Sequence, residues 1–534
     1  MPAATNAVPA ALNAARRAAD LATTTDGRTV DVLVVGLGVT GAGVALDAAT
    51  RGLSVVAVDA HDLAFGTSRW SSKLVHGGLR YLAHGQVGVA HESAVERGIL
   101  MTRTAPHLTR ALPMLMPLAP MVSRTQSAAT RAGLLAGDGL RLGARTPVDV
   151  LPRPRRLGRT ETLALAPSLR ASGLRGGLLS WDGQLEDDAR LVVTLARTAA
   201  AHGASVLTRT RVLAVDGRPG DLRVQVRDET TGEAATVRAR AVVNAAGVWA
   251  DRLVDGLTLR PSRGTHLVLA PGTLPRLRVA VMAPVPGESH RYVFALPQPD
   301  GRVYVGLTDE PVQGPVPDVP EPTEGEIGFL LDVISAVLDV PLGRDDVAGA
   351  FAGLRPLLHA DGTTADLSRR HAVLTSPDGV VTVVGGKLTT YRRMAQDAVD
   401  AAVRAAQLPA GACRTATLPL LGAAPRSVLA GLEAPGRLVR RHGTEAPDVL
   451  ANARAVTGLS DEVLLAPVAP GVPSTRAELV WAVTHEGALD LDDLLERRTR
   501  TGLVAADRRA AEPVARELLA LARDAAGEVR PARR

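Results

Sequence analysis

The chain has 534 residues, of which 46% are hydrophobic and only 2% are aromatic, and its formal net charge is +6. This length allows about two to four domains, with a core built mainly from Val, Leu and Ala. The single cysteine, Cys413, excludes an intrachain disulfide framework and a cysteine-based metal site, and the sequence lacks the apolar run of about 18 residues that would predict a transmembrane helix.

Residues 1–28 are rich in Ala and Thr. They lack the apolar core and cleavage site of a signal peptide, so we expect a flexible extension with a short helix near residues 10–21. The use of a single cysteine predicts a cytoplasmic protein. The last segment, 526–534, is predicted to be a disordered tail.

The stretch 31–59 predicts a strand, a glycine turn, a helix and a second strand. Gly36, Gly38 and Gly41 form the pattern G-x-G-x-x-G, which permits a tight turn, the approach of a pyrophosphate and close helix–strand packing. The second strand ends in Asp59, 18 residues after Gly41, where a carboxylate would bind the ribose of an adenine dinucleotide. The combination favours dinucleotide binding over an incidental glycine-rich turn, but it does not distinguish NAD from FAD.

A polar, glycine-rich loop follows at 60–82 and suits the close approach of a large ligand. His76 in this loop is either a site residue or a structural histidine. A helix is predicted over 90–104. The candidate ligand contacts of the loop are Ser68, Ser71, Ser72, Lys73, His76, Gly77 and Gly78.

The stretch 105–165 combines apolar and basic sequence. Three prolines within residues 111–122 exclude a regular helix interior there, so this part is a strand and turn or an apolar edge, and an amphipathic helix is predicted over 130–142. Residues 121–160 hold eight arginines and two aspartates, an imbalance equal to the net charge of the whole chain. This basic window is either a solvated surface or a contact with an anionic membrane, and the lack of an accompanying nucleic-acid-binding motif argues against nucleic acid.

Strands dominate the predicted elements between residues 176 and 310. A helix capped by Asp187 and Asp188 comes first, and a hairpin then leads to an apolar strand that ends at Gly247 in the sequence N-A-A-G. This strand end is a second place where the backbone can contact a dinucleotide. Strands separated by Pro and Gly over 258–310 predict an antiparallel sheet.

The later part of the chain returns to helices. We predict a helix over 321–340 and a loop over 351–360 that carries Arg355. An apolar strand then runs into Gly385 and Gly386, and a helix begins near Leu388, where its N-terminal N–H groups would stabilise negative charge on a reduced flavin. Charged helical segments from about residue 409 predict a small helical domain.

From about residue 30 to residue 503 the sequence resembles the FAD-dependent glycerol-3-phosphate dehydrogenases, the respiratory enzymes that pass electrons to quinone. Long motifs carry the resemblance: SSKLVHGGLRYL (71–82), NAAGVWAD (244–251), RGTHLVL (263–269), GLTD (306–309), AGLRPL (352–357), GGKLTTYRRMAQDAVD (385–400) and ERRTR (496–500). The departures from the family pattern include Leu37 for a glycine, Asp59 for the usual Glu, and Leu307 for Thr.

The resemblance implies an α/β fold. We expect a Rossmann-like FAD-binding domain on a parallel sheet, an antiparallel-sheet substrate domain and a C-terminal all-helical domain. The expected FAD-binding domain is discontinuous, with residues 29–255 and 370–405, and includes the basic insertion at about 105–165. The substrate domain is expected over 256–369 and the C-terminal domain over 406–525.

The same resemblance implies that FAD is the cofactor and that no metal is used. The C2 hydroxyl of sn-glycerol 3-phosphate would be oxidised to the ketone of dihydroxyacetone phosphate, with hydride passing to the flavin and electrons to membrane quinone. The residues expected to bind FAD are Gly36, Gly38, Gly41, Asp59, Thr67, Ser68, Ser72, Lys73, His76, Gly77, Gly247, Gly386, Leu388 and Thr389.

A dianionic substrate requires cationic donors, and its hydroxyl requires a base or a cation that lowers the hydroxyl pKa. The family motifs place Arg80, Tyr81, Thr308, Arg355 and Lys387 at the substrate and make His266, Arg355 and Lys387 catalytic. His266 is the candidate for proton handling because imidazole titrates near neutrality, although a packed core histidine fits the same motif.

Three alternatives stay open on the sequence. They are an oxidase of the same fold that uses oxygen, a flavin oxidoreductase for another anionic substrate, and a non-catalytic flavoprotein. The expected partners are glycerol 3-phosphate, quinone and an anionic membrane surface on the inner face of the cell membrane, whereas nucleic acid is not expected. A homodimer is one open alternative for the oligomeric state.

Overall fold

The computed structural model of the chain describes residues 10–78, 81–82, 85–288, 291–358 and 371–525. The α-helices are α1 (Ala14–Thr24), α2 (Val39–Thr50), α3 (Val87–Ile99), α4 (Arg124–Gly143), α5 (Arg159–Leu165), α6 (Asp188–Ala201), α7 (Glu324–Ser335), α8 (Tyr391–Ala406), α9 (Arg426–Ala430), α10 (Gly436–His442), α11 (Ala446–Thr457), α12 (Asp461–Leu465), α13 (Arg476–His485) and α14 (Ala505–Ala525). The strands are β1 (Thr29–Val35), β2 (Val55–Val58), β3 (Leu74–Val75), β4 (Thr109–Pro117), β5 (Arg155–Leu157), β6 (Gly177–Leu185), β7 (Ser205–Leu207), β8 (Thr210–Arg218), β9 (Asp221–Asp228), β10 (Ala234–Asn244), β11 (Ser262–Leu269), β12 (Ala280–Pro284), β13 (Tyr292–Pro297), β14 (Val303–Gly306), β15 (Glu310–Pro311), β16 (Val347–Arg355), β17 (His371–Thr375), β18 (Val380–Gly385), β19 (Pro467–Ala469) and β20 (Val472–Thr475).

The first sheet carries the dinucleotide fingerprint. Its strands lie in the order β17–β18–β10–β1–β2–β7, and the neighbours from β18 to β7 run parallel. The hairpin β8–β9 extends the sheet from β10 in antiparallel pairing. Helix α2 packs against α6 and α8, and the apolar side chains of β1, such as Val32 and Val34, are buried in this layer. The predicted parallel sheet and its strand–turn–helix–strand unit are confirmed.

The second sheet is mainly antiparallel. Its strands lie in the order β15–β11–β14–β13–β12–β4–β6–β3, with β16 on β11 and β5 on β6, and the single parallel pair on this path joins β4 and β12. Helix α7 packs on this sheet and buries Ile327, Leu330 and Ile334 against it. The predicted antiparallel sheet is confirmed. It draws strands from both 74–185 and 262–355, so it crosses the predicted boundary at residue 255, and the domain boundaries stay predictions.

The segment from Phe351 to Arg355 is a strand, so the loop predicted over 351–360 is wrong for these residues. It forms the end of β16 and pairs antiparallel with β11, with Ser262 opposite Arg355. Gly353 allows close packing in this strand. A Cβ at Gly353 would lie 2.7 Å from the Cβ of Trp70.

The C-terminal region is helical, with its own buried core, and it includes one short hairpin formed by β19 and β20. Helix α14 packs on α13 and contributes the buried residues Ala511, Ala515 and Leu518 to that core. No helix within the described ranges has the length and apolar character needed to cross a bilayer.

The described part of the N-terminal extension is packed against the rest of the chain. The amide of Leu12 donates to the carbonyl of His485 over 3.0 Å, and the carbonyl of Leu12 accepts from Gly487 over 2.8 Å. Helix α1 is capped by Asn13, and Arg17 forms an ion pair of 2.7 Å with Asp228. The flexible extension expected for 1–28 therefore contains a docked helix, and its residues 1–9 lie outside the described part, as does the tail 526–534.

Candidate active site

A cavity of about 1300 Å³ is lined by residues of both sheets. Its walls include the glycine turn after β1, the loop after β2, the end of β16 and the turn between β18 and α8. Segments distributed from residue 35 to residue 394 therefore meet at one site. The predicted site residues that line the cavity are Gly36, Gly38, Asp59, Thr67, Ser68, Ser72, His76, Tyr81, Gly247, His266, Thr308, Arg355, Gly386, Lys387, Leu388 and Thr389.

Contacts require glycine at two of the three fingerprint positions. Gly36 has a φ of +98°, and a Cβ there would lie 2.7 Å from the carbonyl oxygen of Ala245. A Cβ at Gly41 would overlap the carbonyl oxygen of Gly36, so only glycine lets helix α2 lie this close to the turn. Gly36 and Gly38 face the cavity, whereas Gly41 is a packing residue beneath it.

The loop after β2 orders the glycine turn. The Oγ of Ser68 accepts from the amide of Val39 over 2.8 Å and so caps the first turn of α2. Asp59 accepts from the amides of Leu37 and His61 over 2.7 and 2.8 Å. Burial raises the pKa of Asp59 to about 6, although these two hydrogen bonds act in the opposite direction.

The turn between β18 and α8 forms the other end of the cavity. Gly385 and Gly386 have φ values of +76° and +71°, and Lys387 is extended before the helical turn begins. The amide of His76 donates to the Oγ1 of Thr389 over 3.2 Å, which ties the loop at 71–78 to the start of α8.

Lys387 and Tyr81 contact each other in this end of the cavity. The ammonium of Lys387 lies 3.6 Å from the centre of the Tyr81 ring, a cation–π contact, and donates to the Oγ of Ser93 over 2.8 Å. Two predicted substrate ligands from distant parts of the chain are therefore placed side by side.

His266 lies on β11 and is only 2% exposed. Its Nε2 shares a hydrogen bond of 2.8 Å with the Oγ of Ser72, and its ring stacks on Phe351 with centroids 4.9 Å apart. Burial lowers the pKa of His266 to about 3, and the charges of Lys73 and Arg355 add to this effect. The expectation that this imidazole titrates near neutrality is wrong for this arrangement, because an uncharged ring is favoured by its apolar surroundings.

Arg355 ends β16 beside the motif GLTD at 306–309. Its Nη1 donates to Asp309 over 2.8 Å and to Ser262 over 3.2 Å, and its Nη2 donates to the carbonyl of Thr308 over 3.1 Å. The hydroxyl of Thr308 donates to Glu326 over 2.8 Å. The predicted ligands Arg355 and Thr308 are thus both held by carboxylates.

Besides Gly41, two predicted site residues, Lys73 and Gly77, do not line the cavity. The ammonium of Lys73 is buried and donates to Asp188 over 2.9 Å and to the carbonyl of Arg69 over 3.1 Å, so its side chain is not part of the cavity wall. The amide of Gly77 donates to Asp182 over 3.0 Å beneath the loop. Arg80 lies outside the described residues.

Sequence reasoning missed several residues of the site. Trp70 and Trp249 line the cavity, and the indole Nε1 of each is buried without a hydrogen-bond partner within the described ranges. Asp309 and Ser262 hold Arg355, and Glu326 holds Thr308. Trp249 and Asp309 lie inside the motifs NAAGVWAD and GLTD, so the motifs themselves were the available signal.

The cavity fits an FAD molecule. A Cβ at Gly247, which lines the cavity, would meet no protein atom within 4 Å, so this glycine keeps space open for a ligand. The unpaired indole N–H of Trp249 offers a donor in the same wall. The volume also exceeds the roughly 300–1,000 Å³ of ordinary small-molecule sites, as a dinucleotide with a small substrate requires.

Two family comparisons cover most of the chain. Residues 31–392 match the FAD dependent oxidoreductase family, and residues 413–527 match the C-terminal domain of alpha-glycerophosphate oxidase. The first match contains every predicted site residue that lines the cavity.

Individual relatives agree with these matches. The chain is 54% identical to glycerol-3-phosphate dehydrogenase 1 of Mycobacterium tuberculosis over 96% of this chain and 98% of that protein. It is 36% identical to a mitochondrial glycerol-3-phosphate dehydrogenase of Arabidopsis thaliana over 90% of this chain and 80% of that protein. Among solved structures, the glycerol-3-phosphate dehydrogenase of Bacillus halodurans complexed with FAD is similar with a TM-score of 0.70 and 27% identity, covering 96% of this chain and 98% of that one.

Proposed function

Because the chain belongs to the FAD-dependent glycerol-3-phosphate dehydrogenase family, we propose that it oxidises the C2 hydroxyl of sn-glycerol 3-phosphate to the ketone of dihydroxyacetone phosphate. The observation that carries this proposal is the convergence of Tyr81, His266, Arg355 and Lys387 on a cavity that also contains the dinucleotide fingerprint. Bound FAD would accept the hydride that leaves C2.

Backbone groups would hold most of the cofactor. The turn Gly36–Gly38 and the N-terminus of α2 suit the pyrophosphate, and Asp59 suits the ribose. At the other end, the amides at the start of the helical turn Leu388–Thr390 provide positive potential for a reduced flavin ring.

Cationic side chains would bind the substrate. The guanidinium of Arg355 has the forked geometry that suits a phosphate, and Asp309 fixes its direction. The ammonium of Lys387 suits the substrate oxygens, with Tyr81 beside it. Arg80 belongs to the same proposal through its motif.

His266 is proposed as the proton acceptor. A pKa of about 3 keeps its imidazole neutral at physiological pH but also makes it a weak base, so the proton transfer requires a cation that lowers the pKa of the substrate hydroxyl. Its Nδ1 is buried, so the ring reaches the cavity through Nε2 and the hydroxyl of Ser72, which lines the cavity and connects the ring to the substrate side. A positive charge from Lys387 at the same hydroxyl would lower its pKa and assist the transfer.

Anaerobic titration of the FAD-loaded protein tests substrate and cofactor together. Addition of glycerol 3-phosphate should bleach the flavin absorbance near stoichiometrically, whereas glycerol, which lacks the phosphate, should not. Retention of the oxidised spectrum with glycerol 3-phosphate would contradict the proposal and favour a non-catalytic flavoprotein. Bleaching only by a different anionic hydroxy or amino acid would identify that compound as the substrate instead of glycerol 3-phosphate.

We further propose that the electron acceptor is a quinone at an anionic membrane surface on the inner face of the cell membrane. Apolar side chains of Met114, Met282 and Phe294 line part of the cavity, and helix α4 borders it with residues from Thr125 to Leu134. An apolar wall of this kind suits a quinone ring.

The outer surface of α4 supports contact with lipid. Leu135 and Leu142 are each 56% exposed, and Arg124 and Arg131 are exposed on the same helix. Exposed apolar side chains among arginines are typical of helices that lie in the interface of an anionic bilayer. The helix extends beyond the predicted 130–142 because Ser123 caps it, with its Oγ accepting from the amide of Gln126 over 3.0 Å.

Two measurements test the acceptor and the surface. The protein should float with anionic liposomes at low salt. High salt should weaken this binding, and neutral liposomes should not bind the protein. Failure to bind anionic liposomes at any salt would contradict the membrane proposal. Turnover with a short-chain quinone should exceed turnover with oxygen, and stoichiometric peroxide without quinone reduction would instead identify an oxidase.

A further inference from the structure

We propose that the C-terminal region is a working part of the cofactor site, because Arg497 and Arg498 hold the loop that follows Asp59 through the buried carboxylate of Asp62. The inference rests on the proposed function insofar as the ligand of that loop is FAD. It assigns Asp62, Arg497 and Arg498 as positioning residues that do not themselves line the cavity.

The cluster joins segments 435 residues apart in the chain. Arg498 forms a two-pronged contact with Asp62, with its Nη1 and Nη2 at 2.8 and 2.9 Å from the two carboxylate oxygens. Arg497 donates from Nε to Asp62 over 2.6 Å. The side chains of Asp62 and Arg498 are both 0% exposed, so neither charge has water as an alternative partner. A buried carboxylate in this position therefore depends on the two arginines.

The arginines are in turn fixed from both sides. Arg497 also donates to Asp493, and that carboxylate accepts from Arg209 over 2.8 Å. The amide of Arg209 donates to the carbonyl of His61 over 2.7 Å, so the same residue binds the loop through its backbone and the cluster through its side chain. The main-chain carbonyl of Arg498 accepts from Arg441 over 2.6 Å, which anchors the cluster in the C-terminal region.

The loop held by this cluster forms the wall of the nucleotide end of the cavity. Asp59, His61 and Phe65 all line the cavity, and the rings of His61 and Phe65 stack with centroids 3.9 Å apart. The amide of Ala64 donates to the carbonyl of Leu37 in the glycine turn over 3.0 Å. Asp62 lies within this loop, so the position of Asp62 sets the position of its neighbours.

Reciprocal coupling follows from this arrangement. If the docked C-terminal region orders residues 59–65 for FAD, then FAD must stabilise the docking by the same factor. Loss of the cluster should therefore weaken FAD binding without removing any group that touches the substrate.

The test uses the full-length protein and compares Asp62→Asn and Arg498→Met with the wild type. We expect the dissociation constant for FAD to rise about tenfold or more in both variants, within the range typical of coupled sites. The KM for glycerol 3-phosphate at saturating FAD should stay unchanged. Arg437→Met is the matched control, because Arg437 pairs with Glu478 over 2.9 Å inside the C-terminal region and does not reach the loop.

An unchanged dissociation constant for FAD in both variants would overturn the inference and leave the proposed function intact. Conversely, weaker FAD binding by these variants in a protein that glycerol 3-phosphate cannot reduce would support the inference and contradict the proposed function. An equal weakening in Arg437→Met would show a general effect of instability and would also overturn it.

A second measurement tests the inference without any substitution, and so applies even if the variants do not fold. In the unmodified protein, FAD should slow amide hydrogen exchange over residues 493–500, although these residues do not line the cavity. Protection confined to the nucleotide-binding sheet, with no change at 493–500, would overturn the inference.

Discussion

The guanidinium of Arg355 lies 2.8 Å from the carboxylate of Asp309, and the hydroxyl of Ser262 donates to the same carboxylate. The ion pair fixes a forked cation at the cavity wall before any substrate binds. A donor that is already ordered loses less conformational entropy when it binds a phosphate. The ion pair therefore increases the affinity for phosphate and also fixes the orientation of the guanidinium.

Replacement of Arg355 by alanine should lower kcat/KM for glycerol 3-phosphate by about 10- to 100-fold, the value of a lost charge-assisted hydrogen bond of roughly 1.5–3 kcal/mol. The flavin spectrum of the purified variant should stay normal, because the contacts described for Arg355 do not involve the dinucleotide fingerprint. Steady-state kinetics with measured FAD content provide the readout.

Arg344→Ala is the control for this prediction, since Arg344 is a surface residue whose side chain is 55% exposed and pairs with Glu324. It should leave kcat/KM unchanged. Wild-type turnover in Arg355→Ala, or loss of flavin from it, would contradict the assignment.

The glycine turn and Asp59 were predictable because their sequence pattern is local, although the contact of Gly36 with Ala245 is not. The positions of Gly36, Gly38 and Gly41 in one short stretch determine the turn, and Asp59 follows at the end of the next strand. The contacts of Gly41 with the turn were implied by the same spacing. Lys387 and Tyr81 were identified as candidate site residues in the same way, because each lies within a long family motif.

Partners distant in the chain were not predictable from one sequence. Lys73 sits in a ligand-binding motif, but its ammonium binds Asp188, 115 residues away. Arg355 was placed in a loop because pairing of β16 with β11 is a long-range interaction that no local pattern reveals. The neutral state of His266 follows from complete burial, which the tertiary structure alone determines.

FAD binding should weaken in mild acid. The pKa of Asp59 is raised to about 6 by burial, and the ionised carboxylate is the form that accepts hydrogen bonds from ribose hydroxyls. The dissociation constant should be constant above about pH 7, about twofold higher at pH 6 and about tenfold higher at pH 5, since one proton must then be released on binding. Fluorescence titration of the apoprotein with FAD between pH 5 and pH 8 measures the effect.

Asp59→Asn should bind FAD more weakly at every pH and lose this pH dependence. Asp448→Asn, a change at an exposed position on α11, should retain the wild-type profile. A flat profile in the wild type, or an unchanged slope in Asp59→Asn, would rule out Asp59 as the titrating group.

His107 should make the protein less stable as the pH falls. It is 6% exposed, and burial together with the charge of Arg190 lowers its pKa to about 3. The unfolded chain, with a histidine pKa of about 6.5, binds this proton more readily, so stability is complete above pH 6.5 and declines towards pH 3. At pH 5 the loss amounts to about 2 kcal/mol.

His107→Phe and His107→Gln both remove the titratable group. The difference in free energy of unfolding, variant minus wild type, should increase by about 2 kcal/mol when the pH is lowered from 7.5 to 5. The packing cost of the substitution does not depend on pH and so does not affect this change. Denaturant unfolding at the two pH values gives this difference directly. A difference that does not change with pH in either variant would show that His107 is not the source.

Gly41→Ala should destabilise the protein far more than the same substitution at a glycine that has free space around it. The added Cβ would overlap the carbonyl oxygen of Gly36, which is backbone and cannot rotate away, so α2 must shift from the turn. We expect a loss of about 3 kcal/mol or more in the free energy of unfolding, together with weaker FAD binding, because the N-terminus of α2 borders the cofactor site.

Gly139→Ala on α4 is the matched control, since a Cβ there meets no atom within 4 Å, and better helix propensity should stabilise the protein by about 0.5–1 kcal/mol. Denaturant unfolding and FAD titration of the two variants separate the outcomes: equal stability and equal FAD affinity would mean that the close approach of α2 to Gly36 is not required for the turn to bind its ligand.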